Sequence, residues 1–197
     1  MTAKTDEILD EAYQKLDIVD AADEDKFKKV DEIVEYLQER NARETFESKI
    51  TGTITERLCE LALKAKVPDI YSPLPKEWDW LGDFYIEGIP LNIIISVKSF
   101  KTRERLIVSG SGNFLSPTIG FGLFDELKEW TPDRVKMYLF KGFMAIYMPR
   151  SLFKIINPAA KRIENINAKP LVRINSQLMD DIENAINKKG KIDPKLL

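Results

Sequence analysis

The sequence predicts an α+β domain: a mixed central sheet in the order helix, three strands, helix, strand, preceded by an N-terminal helical subdomain. Three features predict it. Apolar residues recur at three- and four-residue spacing through the first 66 residues, the signature of helices with one buried stripe. From Asp83 the pattern changes to short β-branched runs, of which Leu91 to Lys98 is the strongest. A strand meander followed by a helix and a further strand then suits a mixed sheet.

Each element follows from local pattern. Thr5 or Asp6 can cap a first helix with Ile8, Leu9, Ala12, Leu16 and Val19 on one face, and the acidic stretch Asp20 to Asp25 ends it. A second helix carries Phe27, Val30, Ile33, Val34 and Leu37. A third is expected to begin near Thr53, with Ile54, Leu58, Leu61, Ala62 and Ala65 on one stripe. Pro68, Pro73 and Pro75 read as an irregular connection. Asp83 to Ile86 reads as a short strand, Glu87 to Pro90 as a turn, Leu91 to Lys98 as a central strand and Arg105 to Ser109 as a third. Leu123 to Trp130 is expected to be helical and Thr131-Pro132-Asp133 to break that helix. A fourth strand is expected within Val135 to Met148, with Gly142 as a bulge. Leu171 to Ile174 reads as a short strand, and Ser176 as the cap of a helix that Gly190 stops. The expected division is residues 1–50 for the helical subdomain and 51–197 for the remainder.

Composition narrows the chemistry. Hydrophobic residues are 44% of the 197, enough for a substantial core. No apolar run approaches the roughly 18 residues of a membrane span, and residues 1–10 lack a signal-peptide core, so no membrane partner and a cytoplasmic location are expected. The single cysteine, Cys59, reads as a buried thiol in a helix. Histidine is absent. That excludes Ser-His-Asp and Cys-His catalysis and His-ligated zinc. An enzyme built from this chain works with carboxylates, lysine, arginine, hydroxyls and a hard metal ion. Charge is uneven: 17 acidic against 11 basic side chains in residues 1–66, and 15 against 19 in residues 67–197. A nucleic-acid surface therefore belongs to the second part.

One constellation carries chemistry. Asp83 begins a strand after Trp80-Leu81-Gly82, and Ser96 and Lys98, two apart, share a face of the next strand. The hairpin between them returns the chain, so Asp83, Lys98 and the Val97 carbonyl are expected to converge. A carboxylate and a carbonyl suit Mg²⁺, which takes few protein oxygens. A lysine beside them holds an attacking water or a phosphate oxygen. Each residue also has a plain structural reading: Asp83 as a loop terminator, Lys98 as a snorkelling lysine, Ser96 as a strand spacer. Glu56 has another, as the last position of a capping box Thr53-Ile54-Thr55-Glu56.

These residues resemble the PD-(D/E)XK nucleases, and among them the type II restriction endonucleases. The resemblance lies in Gly82-Asp83 and Ser96-Val97-Lys98, with Glu56 in the preceding helix, and the segment from Thr53 to Met148 follows the family's order of elements. It implies a restriction-endonuclease-like αβββαβ core, Mg²⁺-dependent hydrolysis of double-stranded DNA, catalytic roles for Asp83, Lys98, Ser96 and Glu56, and metal ligation by Asp83, Val97 and Glu56. The family's second acidic position falls on Ser96, which brings no charge; Glu56 is the first candidate to replace it, then Glu60 and Glu87. A DNA repair or junction-resolving nuclease, and a non-catalytic DNA-binding or interaction module on a decayed nuclease fold, are the rival readings.

The expected DNA contacts follow Lys98 directly. Lys101, Thr102, Arg103 and Arg105 suit phosphates, arginine can also read guanine, and Ser109, Ser111 and Asn113 lie in a glycine-rich loop. Trp78, Trp80 and Trp130 flank loops, where stacking on bases competes with core packing. The terminal Lys188, Lys189, Lys191 and Lys195 read as a solvated helix end. A homodimer is expected on symmetry grounds, to match a palindromic site.

Overall fold

A computed structural model describes residues 2–99 and 116–197. The expected third strand at Arg105–Ser109, and the DNA contacts expected at Lys101, Thr102, Arg103, Arg105, Ser109, Ser111 and Asn113, lie outside the described residues.

Four helices come first: α1 (Thr2–Lys15), α2 (Asp23–Lys28), α3 (Val30–Arg43) and α4 (Ser48–Lys66). Helix α1 starts at Thr2, so Thr5 and Asp6 lie within it rather than capping it. Its Ile8, Leu9 and Ala12 are buried as their spacing requires, whereas Val19 falls beyond the helix and is exposed. Helix α4 begins five residues before the expected Thr53. Its early turns are rich in threonine, and their hydroxyls fold back on the preceding turn: Thr51 Oγ1 to Ser48 O at 3.0 Å, Thr53 Oγ1 to Lys49 O at 3.0 Å and Thr55 Oγ1 to Thr51 O at 2.6 Å. Such back-bonding satisfies the hydroxyls but does not favour the helix; burial of Ile50, Ile54 and Leu58 on one face holds these turns. Thr53 is therefore an interior residue and the capping box expected at Thr53–Glu56 does not form. The position 50/51, expected as a boundary, falls inside α4.

Among the described residues the sheet holds six strands in sequential order: β1 (Tyr71–Pro73), β2 (Phe84–Ile86), β3 (Ile93–Lys98), β4 (Thr118–Gly122), β5 (Phe143–Met148) and β6 (Val172–Ile174). The pairs β1/β2 and β2/β3 are antiparallel; β3/β4, β4/β5 and β5/β6 are parallel. The sheet is thus mixed and the fold α+β. Strand β1 was not anticipated. Its Pro73 cannot donate to a ladder, which an edge strand tolerates.

Helix α5 (Pro132–Phe140) occupies residues expected partly as a strand. The Thr131-Pro132-Asp133 sequence starts a helix instead of breaking one: Thr131 Oγ1 accepts from Arg134 N at 3.4 Å, and Pro132 sits in the first turn where its missing N–H costs nothing. Only a single 3₁₀ turn, Leu127–Glu129, forms in the stretch expected to be helical. Gly142 takes a φ of 83° after α5. The register shift lies just beyond, where Thr118 pairs with Phe143 and Ile119 with Ala145. Helices α6 (Arg150–Ile155) and α7 (Pro158–Lys161) link β5 to β6, and α8 (Leu178–Ala185) follows a 3₁₀ turn at Asn175–Gln177 rather than a Ser176 cap.

Two cores flank the sheet. Registered partners Phe84, Ile95, Ile119 and Ala145, with Val97, Phe121 and Tyr147, pack with Leu58, Cys59 and Ala62 of α4 and with Leu178 and Ile182 of α8. The N-terminal helices share this core through Ile8, Phe27, Ile33 and Leu37. Opposite faces of the strands put Ile146, Met148 and Val172 against Trp130, Val135, Tyr138 and Leu152. Each fully buried large aliphatic or aromatic side chain contributes about 1.5–3 kcal/mol, so helices on both faces hold the sheet and its strand ends in place. Among the described residues no helix is long and apolar enough to cross a membrane.

Candidate active site

Strand β3 supplies the frame. Residues Ile93 to Val97 are buried, and Lys98 closes the strand with its side chain 12% exposed. The β2/β3 ladder ends at the pair Phe84–Ile95. Beyond it, Asp83 takes over. Its N–H donates to Ile95 O at 2.8 Å and its carbonyl accepts from Leu74 N at 3.0 Å. Its Oδ2 accepts from Val97 N at 2.5 Å and lies 3.4 Å from Lys98 Nζ. The carboxylate is thus anchored on main chain by a short charge-assisted bond, and half-turned to solvent at 26% exposure.

Gly82 makes this approach possible. A Cβ there would lie 2.6 Å from Ile94 Cγ2 and 2.7 Å from Ile95 O. On the far side of β3, Lys98 is paired with Gly122 of β4, and a Cβ on Gly122 would lie 2.7 Å from Lys98 O. Two glycines therefore let backbone close tightly around the Asp83–Lys98 pair.

The Val97 carbonyl shares the strand edge of its N–H, because both backbone groups of one residue face the same neighbour. That edge is where Asp83 sits. Val97 N and Lys98 Nζ both reach the same carboxylate oxygen, Oδ2. Ser96 is fully buried in the strand, so it lies beneath this edge rather than on the open surface.

Glu56 projects from α4 and is solvent-exposed. Its carboxyl is nevertheless held above the ordinary value of 4.5, first by partial desolvation, next by the Asp83 charge, with Lys98 acting in the opposite sense and Glu60 adding to the rise. It is electrostatically coupled to both members of the pair. Cys59, one turn further on, is buried, and burial followed by Asp83, Glu60 and Glu56 pushes its thiol well above its usual value. It stays protonated and inert, since only the thiolate is reactive.

The weaker acidic candidates are engaged elsewhere. Glu60 accepts from Tyr71 OH at 3.0 Å and pairs with Lys64 at 3.3 Å. Glu87 follows the opposite end of β2 from Asp83 and pairs with Lys191. Trp130 is buried in an aromatic cluster with Phe124 and Tyr138. Trp78 and Trp80 are half-exposed.

The sequence pattern did not point to a cleft of about 360 Å³ beside Ser99, the residue after Lys98. Asn41, Thr45 and Phe46 from the end of α3 and its connection line one wall, and Asp125 and Glu126 another. These segments are remote in sequence and unremarkable in composition, so only folding brings them together.

The sheet order and flanking helices are those of the restriction-endonuclease-like class. Within that class the chain is similar to the restriction endonuclease PspGI in its complex with substrate DNA, with a TM-score of 0.52, 16% identity and 90% of each chain covered. At that identity the likeness is one of fold. No family model matches the sequence, and no curated protein matches it.

Proposed function

We propose that this chain is a Mg²⁺-dependent endonuclease that hydrolyses phosphodiester bonds of double-stranded DNA, as a type II restriction enzyme acting in the cytoplasm as a homodimer. The observation that carries the reading is Asp83, bonded to Val97 N at 2.5 Å and set 3.4 Å from Lys98 Nζ at the end of a strand pair. The fold shared with a DNA-bound restriction endonuclease supports DNA as the ligand.

The donor set fits Mg²⁺. Asp83, the Val97 carbonyl and Glu56 are hard oxygen donors. Among the described residues no group of three or more His, Cys, Asp or Glu side chains is placed to hold a metal. Mg²⁺ needs only one or two carboxylates, completing its shell with water and phosphate. When bound, it supplies charge neutralisation at the phosphate and a water of lowered pKa.

The chain's own residues do the rest. Asp83, with the Val97 carbonyl and Glu56, would hold the ion. The Lys98 ammonium, partly desolvated, holds a phosphate oxygen or the attacking water and stabilises the negative charge that grows on phosphorus. Water adds to phosphorus, the P–O3′ bond breaks, and the products are a 3′-hydroxyl and a 5′-phosphate. Ser96, buried and uncharged where the family carries an acid, favours one rival: a module that binds DNA without cutting it.

Incubation with plasmid and phage DNA, with Mg²⁺ and with chelator, tests the proposal. Discrete Mg²⁺-dependent fragments are expected, lost in Asp83→Ala and in Lys98→Ala. Binding without cleavage in the wild-type chain would select the non-catalytic module. Preference for branched or damaged DNA would select a repair enzyme.

A further inference from the structure

We propose that Trp78 and Trp80 form a stacking platform for an unpaired nucleobase beside the scissile phosphate; the proposal rests on the nuclease reading above. Large aromatic rings are normally buried, and Trp130 in this chain is 1% exposed. Trp78 and Trp80 are 47% and 46% exposed, with ring centroids 6.2 Å apart and planes inclined by 31°. The two neighbouring rings therefore both offer aromatic surface to solvent.

The platform is tied to Asp83 through main chain. Leu74 N donates to Asp83 O at 3.0 Å and closes the loop that carries both tryptophans. Inside it, Trp78 N reaches Pro75 O at 2.8 Å and Leu81 N reaches Trp78 O at 2.9 Å. Leu81 is buried and Gly82 packs against β3. The main chain that carries the rings is thus tied down, three to five residues before the candidate catalytic carboxylate.

Charge selects the kind of contact. Glu77 and Asp79 flank the two rings and outnumber Lys76. Such a segment repels phosphates, so it does not track a DNA backbone. What it offers is the flat ring faces, and stacking on them tolerates any base. A base inside a duplex has both faces covered by its neighbours. The partner is therefore a base out of its stack, either in a single-stranded segment or extruded from a duplex.

The test uses the full chain in an Asp83→Ala background, so that binding is read without cleavage. The probes are a fully paired duplex, the same duplex with one extrahelical nucleotide, and a single strand. Tryptophan emission is expected to be quenched by the probes with unpaired bases. Trp78→Ala and Trp80→Ala should each weaken those complexes by about tenfold, the order of one base–aromatic stack, and leave the paired duplex unaffected. Trp→Phe at either position should restore part of the loss. Quenching by the bulged duplex assigns an extruded base, and quenching by the single strand alone assigns a strand end. The buried Trp130 reports that each variant is folded. Unchanged affinity and no quenching would overturn the proposal, as would variants that only convert a dimer to monomers. The two readings fail separately: wild-type cleavage of DNA with indifferent tryptophan variants removes the platform alone, whereas quenching without any Mg²⁺-dependent cleavage removes the nuclease.

Discussion

Gly82→Ala is the most informative single change, because one methyl group tests the geometry of the whole site. The new Cβ would meet Ile94 Cγ2 at 2.6 Å and Ile95 O at 2.7 Å. Carbon contacts are comfortable at roughly 3.5 Å and beyond, so the segment must retreat from β3 by about 0.8 Å. The Ile94 methyl can turn aside, but Ile95 O belongs to a central strand held on its other side by β4. Overpacking of this kind costs about 1–3 kcal/mol, which lowers Tm by roughly 4–8 °C for a 2 kcal/mol loss in a chain of this size. The same retreat carries Asp83 away from Val97 N and Lys98 Nζ. A displacement approaching 1 Å at a reacting centre costs on the order of 10²-fold in rate. Thermal melts and plasmid-cleavage rates measure both effects. Gly52→Ala is the control: its Cβ meets nothing within 4 Å, and in the interior of α4 it should add about 0.5–1 kcal/mol of stability. A Gly82→Ala protein that melts and cleaves like the wild type would refute the close-packing argument.

Two further changes probe charge. Burial and Asp83 raise the Glu56 carboxyl, so folding favours its protonated form; that contribution is complete below its ordinary value of 4.5 and is lost as pH rises through the raised one. Glu56→Gln should therefore raise Tm at neutral pH, with the gain fading toward about pH 4, while Mg²⁺-dependent cleavage falls; a Tm difference that is the same at every pH would remove the electrostatic link to Asp83. Arg173 is buried and donates to Pro170 O at 2.8 Å, to Asp181 Oδ2 at 2.7 Å and to the Leu197 carbonyl, and Tyr147 OH also donates to Asp181 at 2.7 Å. Arg173→Met strands these acceptors, and urea unfolding should show a loss of about 3 kcal/mol; a loss below about 1 kcal/mol, the level of a surface pair, would show the network to be dispensable.

The sequence by itself determined the elements whose period is local. The stripes of α1, α3 and α4, the β-branched run of β3 and the exclusion of histidine chemistry needed nothing beyond residue types and spacing. So did the nearness of Asp83 to Lys98, because a short hairpin leaves the chain few ways to return. Tertiary structure decided the rest. Strand β1 contains a proline and forms through tertiary contacts: pairing with β2 at the sheet edge and the Tyr71 hydroxyl's bond to Glu60 of α4. Residues 135–140 are apolar enough for strand or helix, and Thr131 with Pro132 settled the matter through the first turn of α5. Burial separated Trp130 from Trp78 and Trp80, and the coupling of Glu56 to Asp83 arose from α4 packing on the sheet. Local pattern reports what a segment can form; which groups lose water and which charges meet depends on contacts between segments far apart in the chain.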